Sequence, residues 1–501
     1  MSPPRGLHTI ARAEPHRVAI VAGDRRVTFS ELDADANRVA HGLADAGVGH
    51  GDRVAVMLHN QPELFAVWFG AARVGAFVVP ISYRSVAHEV AYVLDDSAAS
   101  AFLYDDPAVA ERALGEASNH PRAWDVGGSE LWDAPTSPPT DEFQNATVTT
   151  MNYTSGTTGR PKGIVRPLPA PAREAAPNGF AEFWGFTGDD VHLLCGPAYH
   201  TAPGSYAVMH LVEGAPVVIM ARFDADECLR LIERERVTTS HMVPANFVRL
   251  LEADWSACDR SSIRKVLHAA APCPVDVKRR IMKVFPPGTI WEYYGASEGM
   301  ATVISPDEWE AKPGSVGRPF PGIRLQVVDE EGRLLPPGDV GYIHISGFPG
   351  MPKFEYHNAP EKTAGAWHGD YFTVGDLGWL DDDGYLYFAD RRVDLILSGG
   401  VNIYPAEVEQ ALVEHPDVVD AAVFGLPDER MGQVTHAVVE RRPGSAVSEP
   451  DLLAFLGERL AKFKLPRSIE FIAELPREPN GKVLKRRLRD ERVGSVTDAA
   501  V

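Results

Sequence analysis

The sequence predicts an α/β protein in which a large N-terminal domain with mainly parallel sheets precedes a small α+β domain. Short buried-strand patterns alternate with amphipathic segments through roughly the first four hundred residues, as expected for strands joined by crossover helices. The pattern changes near Pro313 and again after Asp390. We therefore predict an N-terminal domain over 1–390, with a β subdomain over about 313–390, and a C-terminal domain over 391–501.

Short apolar runs predict the buried strands of the N-terminal domain, at RVAVML (53–58), VVIM (217–220), KVLHAA (265–270) and TIWEYY (289–294). The most apolar long segment, 64–80, contains Arg73. It is too short and too interrupted for a membrane span, which needs about 20 apolar residues. We predict a core helix that leads into a strand at 76–79.

Later segments alternate apolar and polar residues between Gly and Pro, as in RLQVVD and GYIHIS, which predicts antiparallel strands. In the C-terminal domain we predict a helix from Pro405 to about Val413, strands at 417–425, 433–440 and 468–475, and a helix at 451–460. Ser448 and Asp451 have the spacing of a capping box for that second helix. The last dozen residues are expected to be disordered.

Composition and charge exclude several classes of protein. The formal net charge of -20 argues against binding to nucleic acid or to anionic lipid. Residues 1–18 lack the apolar run of a secretory signal. The spacing of the four cysteines suggests neither a metal site nor a disulfide framework. We expect a cytoplasmic protein with reduced cysteines and no integral membrane segment.

The segment YTSGTTGRPKG, residues 153–163, is the first candidate binding site. It is not a Walker A motif, because Pro161 occupies the position that requires Gly. Gly156 and Gly159 nevertheless allow backbone N–H groups to approach an anion. The side chains that can add hydroxyl donors or charge are Ser155, Thr157, Thr158 and Lys162. The segment therefore predicts a phosphate-binding loop, with a polar surface loop as the alternative.

This loop closely resembles the phosphate loop of the adenylate-forming superfamily, which includes the acyl-CoA synthetases. Further motifs resemble the family's in the same order: VTFSELDADANRVAHGLADAGVGHGDRVAVML, PAYHTAPG, YYGASEGM, YFTVGDLGWLDDDGYLYFADRRVDLILSGGVNIYPAEVE and LPREPNGKVLKRRL. Together they span nearly the whole chain. The resemblance implies an acyl-CoA synthetase-like fold and an AMP-forming acid–thiol ligase that uses ATP, Mg²⁺ and CoA.

The implied chemistry solves a reactivity problem. A carboxylate is a poor electrophile, and its attack on the α-phosphorus of ATP gives an acyl-adenylate and pyrophosphate. Two anions must meet in this step, so the site needs cations and hydrogen-bond donors directed at the reacting phosphate. Transfer of the acyl group to CoA then gives a thioester.

The resemblance assigns roles to residues of the later motifs. Tyr294 would stack on adenine, Ser297 would bond the α-phosphate, and Glu298 would hold Mg²⁺, which prefers oxygen ligands. Asp376 would accept the ribose hydroxyls and Arg391 would contact the same sugar. Further residues are assigned by the resemblance to ATP binding or catalysis: Thr154 and Ala270 in the ATP site, and the catalytic lysine Lys482.

A second set of residues is implied for the thioester step. Ser398, Gly399 and Gly400 resemble the segment that lines the pantetheine tunnel, where glycine allows close approach of the backbone. His200 matches an aromatic position that moves to admit the thiol. The C-terminal domain of the family rotates about a hinge near Arg391. Val393 stands where the hinge residue is commonly Asp or Lys, which puts the geometry or rate of that rotation in doubt.

Other functions remain open from the sequence. GASEG (295–299) fits the G-x-S-x-G elbow of serine hydrolases, although an elbow leads into a helix and MATVISPDE is a weak helix start. An acyl-AMP ligase that passes the adenylate to a carrier protein or another nucleophile is the main alternative. A catalytically silent binding module and a homodimer are also considered. Residues 198–202 offer no Asp for an amino-acid ammonium, which favours fatty, aromatic or polycyclic acids over amino acids unless another segment supplies a carboxylate.

Overall fold

The computed structural model describes residues 5–128, 130–140, 143–154, 160–169, 175, 178–391, 394–398, 401–428, 430–478 and 483–498, with the backbone alone for 390, 391, 402 and 494–498. The chain divides into two compact units. The first unit comprises Met1–His241, Asp254–Val266 and Met351–Gly365, and the second comprises Met242–Ala253, Leu267–Gly350 and Ala366–Val501. The predicted domain boundary at 390/391 stays a prediction.

The helices of the described residues are α1 (Leu7–Ala13), α2 (Phe29–Asp45), α3 (Pro62–Arg73), α4 (Ala87–Ser97), α5 (Pro107–Glu116), α6 (Gly179–Trp184), α7 (Thr201–Glu213), α8 (Ala225–Arg234), α9 (Pro244–Leu250), α10 (Val275–Val284), α11 (Pro306–Ala311), α12 (Pro360–Ala366), α13 (Pro405–Val413), α14 (Glu449–Gly457) and α15 (Lys485–Asp498). Two short 3₁₀-helices lie at Glu130–Asp133 and Lys462–Lys464.

The strands up to the β subdomain are β1 (Val18–Ala22), β2 (Arg25–Thr28), β3 (Arg53–Met57), β4 (Phe77–Pro80), β5 (Ala101–Tyr104), β6 (Arg122–Asp125), β7 (Asn152–Thr154), β8 (Lys162–Val165), β9 (His192–Leu194), β10 (Val217–Ile219), β11 (Thr239–Met242), β12 (Lys265–His268), β13 (Ile290–Ala296), β14 (Gly299–Ile304) and β15 (Arg318–Pro319). The later strands are β16 (Leu325–Val328), β17 (Gly341–Ser346), β18 (Glu355–Tyr356), β19 (Trp367–His368), β20 (Tyr371–Phe372), β21 (Asp376–Leu380), β22 (Leu386–Arg391), β23 (Ile396–Ser398), β24 (Val401–Ile403), β25 (Val418–Asp428), β26 (Gly432–Arg441) and β27 (Ser468–Ile472).

The first unit contains a four-stranded parallel sheet in the order β4-β3-β5-β6. Both faces of β3 are covered: Val54 and Val56 pack in one apolar cluster, whereas Ala55 and Met57 pack in another. This double burial explains why the predicted strand reads as a continuous apolar run. The expected α/β class with mainly parallel sheets is confirmed here.

The apolar segment that follows β3 forms α3 and β4, so the predicted core helix leading into a strand is confirmed. Its charged residue, Arg73, is buried and pairs with the Asp33 carboxylate of α2. The guanidinium also donates to the side-chain oxygen of Asn37 at 2.6 Å. A buried charge is tolerated only with such partners. None of the described helices combines the length and apolarity that crossing a bilayer requires.

The second sheet of the first unit orders its strands β11-β9-β10-β1-β2, parallel except for the edge strand β2. A polar layer lies between this sheet and α7. The rings of His192 and His210 stack with centroids 4.1 Å apart. The hydroxyl of Thr239 lies 3.0 Å from Nδ1 of His192 and 2.9 Å from Nε2 of His210. We call these three residues the histidine layer.

The hydrogen bonds of the histidine layer fix its tautomers. Nδ1 of His210 lies 2.7 Å from the carbonyl oxygen of Tyr206 and must donate to it. Nε2 of His210 therefore accepts from Thr239, whose oxygen accepts in turn from Nδ1 of His192. Burial lowers the pKa of His210 to about 4, so the ring is neutral in the fold at pH 7.

The second unit carries the antiparallel order β15-β14-β13 and the predicted antiparallel β subdomain, whose sheet has the order β19-β20-β17-β21-β22 with β16 beside β17. Its last sheet has the order β24-β23-β26-β25, with β27 parallel to β26. The helix predicted from Pro405 spans the predicted residues, as α13. The capping box of Ser448 and Asp451 is present at α14, with the two side chains 2.5 Å apart.

The C-terminal end differs from the prediction. Disorder was expected for the last dozen residues, but α15 continues to Asp498. The first half of this helix is stabilised by an i,i+4 ion pair between Arg487 and Glu491 at 2.9 Å and by the buried side chain of Leu488.

Candidate active site

The predicted phosphate loop lies in the sequence between strands β7 and β8. Strands β7 and β8 pair antiparallel, and their register places Thr154 opposite Lys162. The predicted site residues at the loop ends are thus held across from each other by strand pairing. The predicted ligands Ser155, Gly156, Thr157, Thr158 and Gly159 lie outside the described residues.

The base of this hairpin is anchored to α4. The hydroxyl of Tyr153 donates to the carboxylate of Asp96 at 2.8 Å, and Nζ of Lys162 lies 3.7 Å from the other oxygen of that carboxylate. Nζ also lies 3.5 Å from the hydroxyl oxygen of Tyr92. Burial and then the neighbouring Asp96 raise the pKa of Tyr153, so its phenol stays protonated and donates.

A second hairpin carries the predicted contacts to the α-phosphate and the metal. Ser297 and Glu298 form the turn between β13 and β14, and Glu298 is buried. A Cβ on Gly295 would lie 2.8 Å from the carbonyl oxygen of Gly299, so only glycine fits there without movement of the backbone. GASEG is therefore strand–turn–strand, and the strand–turn–helix of a hydrolase elbow is absent at this motif.

The hairpin is supported from the side of α10. Glu292 of β13 forms an ion pair with Lys278, and both residues are buried. Nζ of Lys278 also lies 4.8 Å from the ring centroid of Trp309. Burial raises the pKa of Glu292, whereas the charge of Lys278 opposes this rise. The pair fixes β13, and no local sequence pattern had indicated it.

The predicted adenine and ribose residues come together. The hydroxyl of Tyr294 donates to the carboxylate of Asp376 at 2.7 Å, and Asp376 is buried at the start of β21. The strand register places Asp376 directly opposite Arg391 of β22, whose side chain is outside the described residues. A buried carboxylate requires hydrogen-bond donors, and Tyr294 supplies one. The oxygens of a carboxylate can accept several hydrogen bonds, and ribose hydroxyls are suitable further donors to them.

Ala270 lies two residues beyond the end of β12 and has a φ of 76°. A residue with a Cβ rarely adopts this left-handed conformation, which costs of order 1 kcal/mol or more. Strained backbone of this kind is concentrated at binding sites. The predicted role of Ala270 in ATP binding is consistent with this geometry.

His200 precedes α7 directly, in the N-cap position. Burial lowers its pKa to about 4, and its Nε2 has no hydrogen-bond partner among the described residues. The centroid of its ring lies 4.4 Å from the ring centroid of Tyr199. The imidazole is thus neutral near pH 7 and offers a buried polar atom to a ligand.

The remaining predicted residues lie in the C-terminal part. Ser398 ends β23, where it pairs with Val401 of β24. Gly399, Gly400, the hinge position Val393 and the predicted catalytic Lys482 lie outside the described residues. Their roles stay predictions.

The described residues contain no cluster of three metal-ligating side chains. Glu298 alone can serve as the protein ligand for Mg²⁺, because this cation is usually bound through one or two carboxylates together with phosphate oxygens and water. The donor set therefore fits a magnesium ion that arrives with a nucleotide. Asp96 and Tyr92 were missed by sequence reasoning, since they lie 66 and 70 residues before Lys162 on an ordinary amphipathic helix.

Known proteins match nearly the whole chain. The AMP-binding enzyme family matches residues 7–353, and the AMP-binding enzyme C-terminal domain matches residues 407–482. The chain is 35% identical to the fatty acid–[acyl-carrier-protein] ligase ScoC of Streptomyces coeruleorubidus, with 96% of this chain and 94% of that protein covered. It is 36% identical to the feruloyl-CoA synthase of an Amycolatopsis species, with 96% of each covered.

Among solved structures, o-succinylbenzoate CoA synthetase (MenE) from Bacillus subtilis, in complex with its acyl-adenylate intermediate, matches with a TM-score of 0.83 and 30% identity. The match covers 97% of this chain and 98% of that one. Fold, motif order and both family matches agree. The chain belongs to the AMP-binding enzyme family and is an adenylate-forming ligase of the acyl-CoA synthetase type.

Proposed function

We propose that this enzyme activates a carboxylic acid with ATP and Mg²⁺ to an acyl-adenylate, releases pyrophosphate, and transfers the acyl group to the thiol of CoA. The observation that carries the proposal is the hydrogen bond of 2.7 Å between Tyr294 and the buried Asp376. It presents an aromatic face and an oriented carboxylate together, as adenine and ribose require. Glu298, buried in the turn that follows the strand of Tyr294, would bind the magnesium ion.

The first half-reaction would use the cations to bring two anions together. Lys162 would bind the outer phosphates of ATP, and Ser297 would donate to the α-phosphate. Lys482 would contact the α-phosphate and the acid carboxylate while the bond between them forms. Expulsion of pyrophosphate then leaves the acyl group on AMP, which is a good leaving group.

The second half-reaction would bring the CoA thiol past His200. The neutral ring of His200 has a buried Nε2 without a described partner, so it can accept a hydrogen bond from the thiol. Ser398, Gly399 and Gly400 would line the tunnel for the pantetheine arm after rotation near Arg391 and Val393. Attack of sulfur on the acyl carbon releases AMP and forms the thioester.

A carrier protein is the alternative acceptor. The likeness to ScoC, named for ligation of fatty acid to an acyl-carrier protein, supports it, whereas the likeness to feruloyl-CoA synthase and MenE supports CoA. The same names span fatty and aromatic acids, so the substrate is proposed only as a carboxylic acid of one of these classes. A cytoplasmic location and a homodimer stay predictions.

Pyrophosphate release measured across fatty, aryl and polycyclic acids tests the proposal. We expect release that depends on the acid, and thioester formation when CoA is added. Acid-dependent release without thioester would favour the carrier protein, which is then supplied as the acceptor. Absence of AMP from labelled ATP with every acid would refute the proposed function.

A further inference from the structure

Two side chains on either side of the phosphate loop converge on one carboxylate. Tyr153 precedes the loop and Lys162 follows it, and Asp96 at the C-terminal end of α4 contacts both. The Asp96 side chain is 11% exposed and that of Lys162 is 27% exposed, so water screens the ion pair only in part. The carboxylate is therefore positioned to influence both ends of the loop.

A third segment fixes the spacing between α4 and β8. The side chain of Asn358 donates to the backbone carbonyl of Asp96 at 3.0 Å, and the backbone N–H of His357 donates to the carbonyl of Gly163 at 2.8 Å. Asp96 and Lys162 are thus held at a defined separation by contacts that do not involve their own charges. The distance between them is set by the fold.

The ammonium of Lys162 is held weakly at this position. Its Nζ lies 3.7 Å from Asp96, which is an ion-pair distance but too long for a good hydrogen bond. The Tyr92 hydroxyl donates to the carbonyl of Pro161 at 2.7 Å and so only accepts from Lys162, at 3.5 Å. An ammonium with two long contacts can leave them for a ligand of higher charge, such as a polyphosphate.

We propose that Asp96 is a positioning residue that competes with polyphosphate for Lys162. With the site empty, Asp96 keeps the ammonium beside the loop. When nucleotide binds, Lys162 transfers its contact to the outer phosphates, and Asp96 takes it back as pyrophosphate leaves. Asp96 would thereby weaken pyrophosphate binding and favour its release. This inference rests on the proposed function, because that function makes pyrophosphate the departing product.

The substitution Asp96→Asn separates this role from a structural one. The amide has the shape of the carboxylate and keeps an oxygen that accepts from Tyr153, but it carries no charge to hold Lys162. Competition predicts that magnesium pyrophosphate binds about tenfold more tightly to the variant, because the partly exposed ion pair between Asp96 and Lys162 no longer has to be broken. A structural role predicts weaker binding.

Calorimetric titration of the full-length enzyme with magnesium pyrophosphate measures the effect without an acid substrate. Asp95→Asn is the matched control, because Asp95 is the preceding residue of α4 and accepts from the backbone of Ser118 and Asn119 at 3.1 and 2.7 Å. We expect its pyrophosphate affinity to equal that of the wild type. In the background of Lys162→Met, Asp96→Asn should not change the affinity for magnesium pyrophosphate.

A second variant tests the inference independently if Asp96→Asn fails to fold. Tyr153→Phe removes the donor to Asp96 and leaves its charge free for Lys162, so pyrophosphate should bind several-fold more weakly. Unchanged or weaker binding in Asp96→Asn, or a gain that persists without Lys162, would overturn the inference. Failure to form AMP from ATP with any acid would refute the proposed function instead, and the titration would still decide on Asp96.

Discussion

The histidine layer beneath α7 should make the first unit sensitive to acid. Burial lowers the pKa of His210 to about 4, whereas a histidine in an unfolded chain has a pKa of about 6.5. Between these values the unfolded chain binds a proton that the folded ring does not. The stability contributed by neutral His210 is thus fully present above pH 6.5 and is lost as the pH falls towards 4.

The size of the effect follows from these two pKa values. From pH 7 to pH 5 the unfolded imidazole goes from mostly neutral to almost fully protonated, while the folded ring stays neutral. The linkage relation gives a loss of about 2 kcal/mol for this one histidine. The rings of His192 and His241 are also buried with lowered pKa values, so the total loss should exceed that of a single residue.

Hydrogen exchange of segment 192–213 measures the free energy of opening for this layer and avoids the assumption that a chain of this size unfolds in one step. Wild type should lose at least about 2 kcal/mol of that free energy between pH 7 and pH 5. His210→Gln should lower stability at pH 7 but lose about 2 kcal/mol less on acidification. His88→Gln, at an exposed position of α4, serves as the control and should follow the wild type. An opening free energy that is the same at both pH values, or an undiminished loss in His210→Gln, would refute the assignment of neutral buried rings.

Three further predictions concern the nucleotide site. Tyr294→Phe keeps the ring but removes the hydrogen bond to Asp376, and such a bond to a charged group contributes about 1.5–3 kcal/mol. We therefore expect the KM for ATP to rise at least tenfold and discrimination against 2′-deoxy-ATP to fall. Both are measured by pyrophosphate release. Gly295→Ala would bring a Cβ within 2.8 Å of backbone atoms; adenylation should fall and the thermal midpoint should drop, and an unchanged midpoint would show that the hairpin relaxes freely. Lys482→Ala should lose on the order of 10²–10³ in adenylation rate but far less in thioester formation from preformed acyl-adenylate; equal losses in the two half-reactions would contradict its role.

Elements defined by local periodicity were predictable from the sequence. Strand β3 reads as a continuous apolar run because both of its faces are buried, and α13 begins at Pro405, a residue suited to the first turn of a helix. The capping box at Ser448 is likewise a signal within four residues. In each case the residues that carry the signal are close together in the sequence.

Features set by distant contacts were not predictable. Nothing around Asp96 indicates that its carboxylate will meet Tyr153, which is 57 residues away. The left-handed backbone at Ala270 belongs to a residue type that does not favour it, so composition gave no signal. Leu488 of α15 packs in one apolar cluster with Phe424 and Val438 of the C-terminal sheet, which no local pattern indicates. Tertiary structure decides these features, and family resemblance alone would not have supplied Asp96.

Buried carboxylates in a site for a polyanion call for a physical explanation, because each would repel ATP if it acted alone. Asp376 is compensated by the hydroxyl of Tyr294 and can accept further donors from a sugar, which brings no negative charge to it. Glu298, the proposed magnesium ligand, is buried, and a cation that arrives with the nucleotide would offset its charge. Asp96, in the role proposed above, competes with phosphate for Lys162, whose Nζ lies 3.7 Å from its carboxylate. In these proposed roles each carboxylate acts through a donor or a cation that it shares with the nucleotide, which would let an acidic enzyme bind a triphosphate and still release pyrophosphate.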